Sequence, residues 1–388
     1  MTGTPGDRRI DWTADTSRGY SPPAVAALAG LLAVLAAFAY TAVTPGRSLL
    51  GYEIGRLEWL WVASLWLFVV ASASVVANAD RGDARNALAY FARHPAAAAG
   101  TFVALAVFLA GTLGPVFLDP PAVNIPYRNQ PPVYTSVPQY DVVQCYNPVG
   151  DRCYGTWSAP LGTNALGQDM VQLLVFGARN VVQLALVAVA LIVPLATLVG
   201  TVSAYAGGRT DRVLAGSAES LKAVPALLVF FVWRWLSGDG TLFMLVVSFG
   251  LVNWGSVATV VRSRALDEVA TDYVRAANAS GASAVQVVRW HLLPNVSRSA
   301  TVAAVSQIPL FITIEATLSF LRFGTPPSPL LLRPTTVISW GDMIGSNISS
   351  VQRYWWTVAI PVAALLATIL AVSLLSDAIQ DLLGPRST

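Results

Sequence analysis

Charge is scarce in this chain. Only 12% of its 388 residues are Asp, Glu, Lys or Arg, against about 25% in soluble domains. Too little polar surface exists to cover such a chain in water, which excludes an aqueous enzyme, a disordered regulator and a disulfide-dense secreted domain. Lysine occurs once, as Lys222. No G-x-x-x-x-G-K-[ST] phosphate loop is present, so the chain carries no ATP-hydrolysing site of its own. The two histidines, His94 and His291, lie far apart, and the two cysteines are Cys145 and Cys153. Neither pair makes a metal-ligand cluster. A G-x-S-x-G nucleophile motif is missing as well, and no catalytic residue is expected. The net charge of +3 comes from scattered residues, which gives no basis for nucleic-acid binding.

Apolar residues are abundant instead, at 55%. A membrane-spanning helix needs about 20 of them in a row. Six uncharged stretches meet or nearly meet that length: Ala24–Val43, Trp59–Ala77, Ala96–Leu118, Val181–Ala206, Thr241–Val261 and Trp355–Leu375. Two weaker stretches, Val224–Leu236 with Arg234 and Ser299–Phe320 with Gln307, Pro309 and Glu315, bring the expected count to eight. The expected fold is an all-α polytopic membrane protein. With a cytoplasmic N-terminus, roughly two thirds of the Lys and Arg residues fall in the inner segments. That places both termini in the cytoplasm of a multi-pass cell-membrane protein. Arg8 and Arg9 precede the first run, but polar residues and Pro22-Pro23 intervene. The expectation is therefore an uncleaved first helix flanked by Arg8, Arg9 and Arg18, not a signal peptide.

The spans are unevenly spread. Residues 1–118 carry three, residues 161–388 carry five, and an extracytoplasmic Pro- and Tyr-rich loop fills 119–160. A loop of that length is more than a connector. It fits either contact with an external partner or a lid over the outer helix ends. Its prolines favour extended chain. Cys145 and Cys153 both fall there, and an oxidising exterior with so short a separation favours a disulfide around Asn147–Gly150, with two free thiols as the alternative.

The most informative segment is the inner loop 262–298. Ala265–Ala279 reads as a short helix with an apolar stripe of Leu266, Val269, Ala270, Tyr273 and Ala277. Gly281 then supplies a left-handed stop. Ser283 and Gln286 have capping-box spacing, so a second helix starts at once and runs through Trp290 and His291 to a break at Pro294. Such a helix–glycine–helix elbow can pass force from a cytoplasmic partner to the spans on either side. An amphipathic helix resting on lipid fits the periodicity equally well.

The segments Tyr273–Ser283 and Arg289–Asn295 resemble the EAA loop of ABC importer permeases. The family pattern is Glu-Ala-Ala, three residues, Gly, nine residues, an aliphatic residue, one residue, then Leu-Pro. Ala276, Ala277, Gly281, Leu293 and Pro294 fall on it in register. His291 stands at the aliphatic position, as is usual in the dipeptide/oligopeptide/nickel branch. Arg275 replaces the branch's usual Glu, and the nearest acidic residues are Asp272 and Glu268. Further matches at Pro160–Asp169, Tyr205–Arg212, Glu315–Gly324 and Asp377–Arg386 extend the likeness over about 230 residues, roughly the five-span portion. Residues 1–157 are less similar, because the family usually has one helix where this chain has three runs.

The resemblance implies a type I importer permease core that pairs with a second, related permease. It also implies two separate ATPase subunits, which would carry the ATP and Mg, and an extracytoplasmic substrate-binding protein. Short peptides are the implied cargo, with nickel and other small solutes handled by the branch as alternatives. The implied motion is alternating access driven from the elbow. The rival reading from the residues alone is an ion-coupled secondary transporter using Glu315, with Pro194, Pro225, Pro309 and Pro361 marking broken spans. Charges inside spans face protein or water by default. Arg234 and Glu315 therefore line a translocation path, pair with each other, or brace helix packing.

Overall fold

The computed structural model describes residues 22–43, 56–78, 81–237, 242–321 and 338–383. The expectations for Arg8, Arg9, Arg18, Gly324, Pro385 and Arg386 lie outside those residues. The chain divides into two compact units at Asp80/Arg81.

The first unit is a helical hairpin of α1 (Pro22–Val43) and α2 (Arg56–Asn78). Gly30 lets the indole of Trp66 lie against the α1 backbone, where a Cβ would come within 1.9 Å of Nε1. That Nε1 donates to the Ala26 carbonyl at 3.2 Å. Further along, Phe38 meets Trp59 edge-on at 6.3 Å. Low residues of one helix thus face high residues of the other, which makes the pair antiparallel.

The second unit begins with α3 (Arg81–Arg93) and α4 (Pro95–Phe117). Pro95 stands in the first turn of α4, where its missing N–H costs nothing. A folded loop follows. Its three short strands, β1 (Ser136–Pro138), β2 (Pro148–Val149) and β3 (Arg152–Tyr154), form an antiparallel sheet in the order β1-β3-β2, with Val137 opposite Cys153. Two single 3-10 turns, Ile125–Tyr127 and Gln139–Asp141, interrupt the extended chain expected from the prolines. Cys145 and Cys153 are disulfide-bonded, with Cα atoms 5.7 Å apart. The buried Gln130 side chain donates to the Gln144 carbonyl at 2.6 Å and accepts from the Tyr146 N–H at 3.1 Å. Tyr127 stacks on Tyr146 at 4.2 Å.

The core helices come next: α5 (Met170–Ala206), α6 (Gly208–Lys222), α7 (Ala226–Ser237) and α8 (Leu242–Val269). Asp169 caps α5 by accepting from the Val171 N–H at 2.6 Å. After a turn come α9 (Asp272–Ala279), α10 (Ala284–Val287), α11 (Leu293–Val305) and α12 (Ile308–Phe320). The last two are α13 (Trp340–Asn347) and α14 (Trp356–Leu383).

Glycines set the directions of these helices. On α5, a Cβ at Gly200 would lie 2.7 Å from the Ala258 carbonyl of α8, while Gly250 of α8 faces Leu191 of α5. High numbers meet high and low meet low, so α5 and α8 run parallel. The chain between them must then return across the bilayer. It does so through α6 and α7, which meet at a 77° bend near Pro225. Gly111 of α4 abuts Ala178 of α5, and Gly114 abuts Val175, so these two are antiparallel. Tyr90 of α3 donates to Asp381 at the end of α14 at 2.7 Å. At the other end, Trp356 donates to the Thr163 carbonyl at 3.1 Å and Tyr354 to the Asp141 carbonyl at 2.8 Å. The disulfide loop and the α8–α11 connection therefore occupy opposite ends of the helices.

One of the expected spans changes its bounds. Among the described residues six helices are long and apolar enough to cross, and the bent α6–α7 pair makes a seventh. The stretch Val224–Leu236 is not a span by itself, because α7 has 12 residues and reaches about 18 Å against about 30 Å of hydrocarbon. α1 has no charged residue in its 22 positions and reaches about 33 Å.

The sheet register around Cys153 leads to a test. Cys153 is fully buried, and its partner closes the β2–β3 turn. Maleimide applied to intact membranes should leave both cysteines unlabelled until a reductant is added. Prompt labelling without reductant would show that the bridge is absent in the native protein.

Candidate functional site

The α8–α11 connection is built in four steps. First, α8 ends at Val269 and the chain turns at Ala270–Thr271, with the Thr271 N–H bonded to the Glu268 carbonyl. The single helix expected over Ala265–Ala279 is thus two helices. The break shifts the phase of the apolar stripe. Tyr273, on the expected stripe, is exposed, and Val274 is the residue that α9 buries completely; Leu266, before the break, is exposed as well. Second, α9 stops at Gly281, whose φ is +83°. The Ala282 N–H bonds the Ala277 carbonyl and the Gly281 N–H bonds the Asn278 carbonyl, each at 3.1 Å, which is a Schellman stop. Third, Ser283 opens α10 with a complete capping box to Gln286. Fourth, Val288–Leu292 form a π turn in which the Leu293 N–H reaches back to the Val288 carbonyl.

That last step corrects the expected break at Pro294. A proline ring clashes with the carbonyl four residues back in a regular α-helix. The wider turn just before it moves that carbonyl aside. Pro294 then stands in the first turn of α11, and the helix continues toward the membrane.

A small apolar cluster holds the elbow together. Val274, Val287 and Leu292 are fully buried, with Tyr205, Val269, Ala277, Ala282 and Val288 packed around them. Tyr205 belongs to the end of α5 and Val269 to the end of α8. The elbow is therefore seated on the ends of the two parallel helices. Polar bonds tighten the seat. Tyr205 donates to Asn278 Oδ1 at 3.1 Å. Tyr273 donates to Glu268, and Asn295 donates to the Tyr273 oxygen at 3.0 Å. The ring of Tyr273 is exposed, but partial desolvation of its hydroxyl, followed by the hydrogen bond to the Glu268 carboxylate, pushes that hydroxyl above its ordinary range. The His291 ring lies 5.8 Å from that of Tyr273, and its carbonyl accepts from Asn295 at 3.0 Å.

The outer face of the elbow is left open. Arg275, Ala276, Ala279, Gly281, Val285, Trp290 and Pro294 are exposed, while Ala277 and Leu293 are half-buried. Small side chains at Ala276 and Ala279 allow close approach of another surface. Arg275, at the position of the expected Glu, lies 3.7 Å from Asp272, with both side chains largely exposed. An exposed pair of this kind contributes little stability. Glu268 is engaged by Tyr273, so of the two nearby acids only Asp272 is fully presented to the outside.

The remaining sequence candidates lie elsewhere. Glu315 is buried on α12, accepting from Ser319 at 2.9 Å and reached by the hydroxyl of Ser339, the N-cap of α13. Close backbone contact between Gly341 and Ala316 presses the same two helices together. Arg234 stands half-buried on α7. Among the described residues no group of three His, Cys, Asp or Glu side chains could hold a metal ion.

One cluster escaped the sequence. Arg262 of α8 grips Asp211 of α6 through two bonds of 2.6 Å, and Ser203 of α5 donates to the same carboxylate at 2.5 Å. These residues belong to three helices, and 51 positions separate Arg262 from Asp211. No local spacing signals such a pair. By contrast, Lys222 and Glu219 pair at 2.9 Å, as their one-turn spacing indicates.

The sequence profile described as "Binding-protein-dependent transport system inner membrane component" matches residues 174–388, more than half of the chain. The chain belongs to this family. The match starts inside α5 and includes the whole elbow, so α1–α4 and the disulfide loop precede the family core. The chain is also similar to the oligopeptide transport system permease protein OppC of Bacillus subtilis. The two are 29% identical over 225 residues, 58% of this chain and 71% of that protein. The dipeptide transport system permease protein DppC of the same organism is 28% identical over 291 residues, 75% of this chain and 82% of its own. A DppC of Lactococcus lactis is 30% identical over 227 residues, 58% and 64% of the two chains. Membership of this family, with six or seven membrane-length helices among the described residues, makes the protein a multi-pass membrane permease component. It does not favour the ion-coupled alternative built on Glu315.

The buried centre of the elbow can be probed directly. Val274→Ala removes two methyl groups from a sealed cluster and should cost about 1.5 kcal/mol locally. Hydrogen exchange should then quicken over residues 272–292, with α5 and α14 unaffected. Unchanged exchange there would mean that Val274 does not anchor α9.

Proposed function

We propose that this chain is one of two paired permease subunits of an ATP-driven importer of di- and oligopeptides. Two ATPase subunits dock on the exposed face of the elbow, and an extracytoplasmic binding protein delivers the peptide to the opposite end. The elbow and both termini face the cytoplasm, and the disulfide loop faces outward. Closure of the ATPases on ATP and Mg pushes α9 and α10. The movement passes to the ends of α5 and α8 and rocks the helices between inward- and outward-facing states.

One observation carries this reading. The elbow is closed on one side and open on the other. Its inner side is packed on the ends of α5 and α8, and its outer side presents Ala276, Ala279 and Val285 without cover. A lipid-resting helix would direct its apolar residues into the bilayer plane and would need no apolar core of its own. The peptide cargo is supported by the relatives, whose names specify oligopeptide and dipeptide transport.

Gly281 gives the sharpest test. It has open space around the missing Cβ, so a substitution acts through backbone strain alone. Placing valine at a left-handed φ costs about 1–2 kcal/mol. Gly281→Val should reduce co-purification of the ATPase subunits with the tagged chain while leaving membrane insertion intact. Gly281→Asn, which tolerates that conformation better, should fall between. Equal ATPase recovery from all three proteins would overturn docking at the elbow, and peptide uptake by vesicles lacking any ATPase would overturn the whole reading.

A further inference from the structure

The helix α6 lies antiparallel along α8. Asp211 faces Arg262 at one end, and Ala218 meets Gly255 further along, where a Cβ would come within 2.5 Å of the Ala218 carbonyl. Thr259 adds a 3.4 Å bond to Glu219, next to Ala218. The turn from α5 into α6 is made by Gly207 and Gly208, both with left-handed φ near +60°. Two such glycines in succession make a loose joint, because glycine samples both signs of φ. The turn itself is held by two backbone bonds, from the Gly207 N–H to the Ser203 carbonyl at 3.2 Å and from the Asp211 N–H to the Gly207 carbonyl at 3.0 Å, and no side chain of its own braces it. The Asp211 carboxylate supplies what the turn lacks. It takes two bonds from the Arg262 guanidinium and one from Ser203, so one carboxylate ties α5, α6 and α8 together.

The location of this clamp matters. Ser203 is two residues before Tyr205, and Arg262 is seven before Val269; Tyr205 and Val269 are the helix-end residues on which the elbow is packed. Any push on the elbow reaches α5 and α8 next to the clamp. We propose that Asp211, gripped by Arg262 and Ser203, is a positioning residue that makes the ends of α5, α6 and α8 answer the elbow as a single body. This inference rests on the reading of the elbow as an ATPase dock. Without the clamp, the glycine joint would let α6, and with it the bent crossing into α7, lag behind. The ATPase cycle would continue and the crossing helices would not follow it fully.

The test uses the assembled complex in proteoliposomes, with MgATP as the probe. Spin labels replace Val213 on α6 and Val260 on α8, both exposed. In the otherwise native chain, the distance between labels should be the same with and without MgATP. In Asp211→Asn and in Arg262→Gln, MgATP should shift or broaden it by about 2–5 Å, the scale of helix shifts in switching proteins. The double exchange D211R/R262D restores the opposite charges and should restore the invariant distance, which a general loss of packing would not do. ATP hydrolysed per labelled peptide imported should rise about tenfold in the single variants, an ordinary coupling free energy, and fall back in the exchange. A distance that already changes in the native chain overturns the single-body proposal. So does a single variant that keeps both the distance and the ratio. ATPase retention is measured in every preparation. A native chain that retains none removes the docking reading and this one with it, whereas normal retention with an unaltered ratio in the variants removes the clamp alone.

Discussion

The architecture depends on the close parallel contact of α5 and α8. Gly200 on one helix and Gly250 on the other remove the side chains that would hold them apart, and in lipid such small-residue contacts replace the hydrophobic drive that packs helices in water. Parallel neighbours cannot be joined by a short turn. The chain must cross back between them, and the bent α6–α7 pair is the result. The same contact brings the end of α5 beside the end of α8. There the elbow finds Tyr205 and Val269 as a common floor.

The elbow satisfies most of its own backbone and is seated on the ends of α5 and α8. Hydrogen bonds within the Gly281 stop and the Ser283 cap satisfy its backbone without help from a neighbour. Its apolar residues are spent on an internal cluster, leaving small side chains and a few larger ones outside. Those features describe an element whose exposed face is already formed in the isolated chain. The disulfide loop at the other end is likewise preformed, with Gln130 satisfied by the backbone on both sides of its amide.

Much of this was legible in the sequence, and the reasons are local. Long uncharged runs marked the crossings, Gly281 marked a stop, and Ser283 with Gln286 marked a start. The unread parts were those set by distant partners or by a break of phase. Ala270 and Thr271 carry no strong stop signal, so periodicity alone runs one helix across the break and leaves Val274 off the stripe. The bend at Pro225 was readable as a proline, but its angle depends on α6 being held along α8. The Asp211–Arg262 grip joins residues that only the tertiary fold brings together. Glu315 was recognised as a costly charge, but its neighbour Ser339 lies beyond a long connection that gives no register.

The π turn at Val288–Leu292 fixes an azimuth. One α-helical residue corresponds to about 100° of rotation, and the wide turn inserts an extra residue between the elbow and the span that follows. The compass bearing at which α10 leaves the membrane rod is thus set by that single insertion. A chain with the same residue types but without the wider turn would carry the exposed face of the elbow about 100° around the axis of that span.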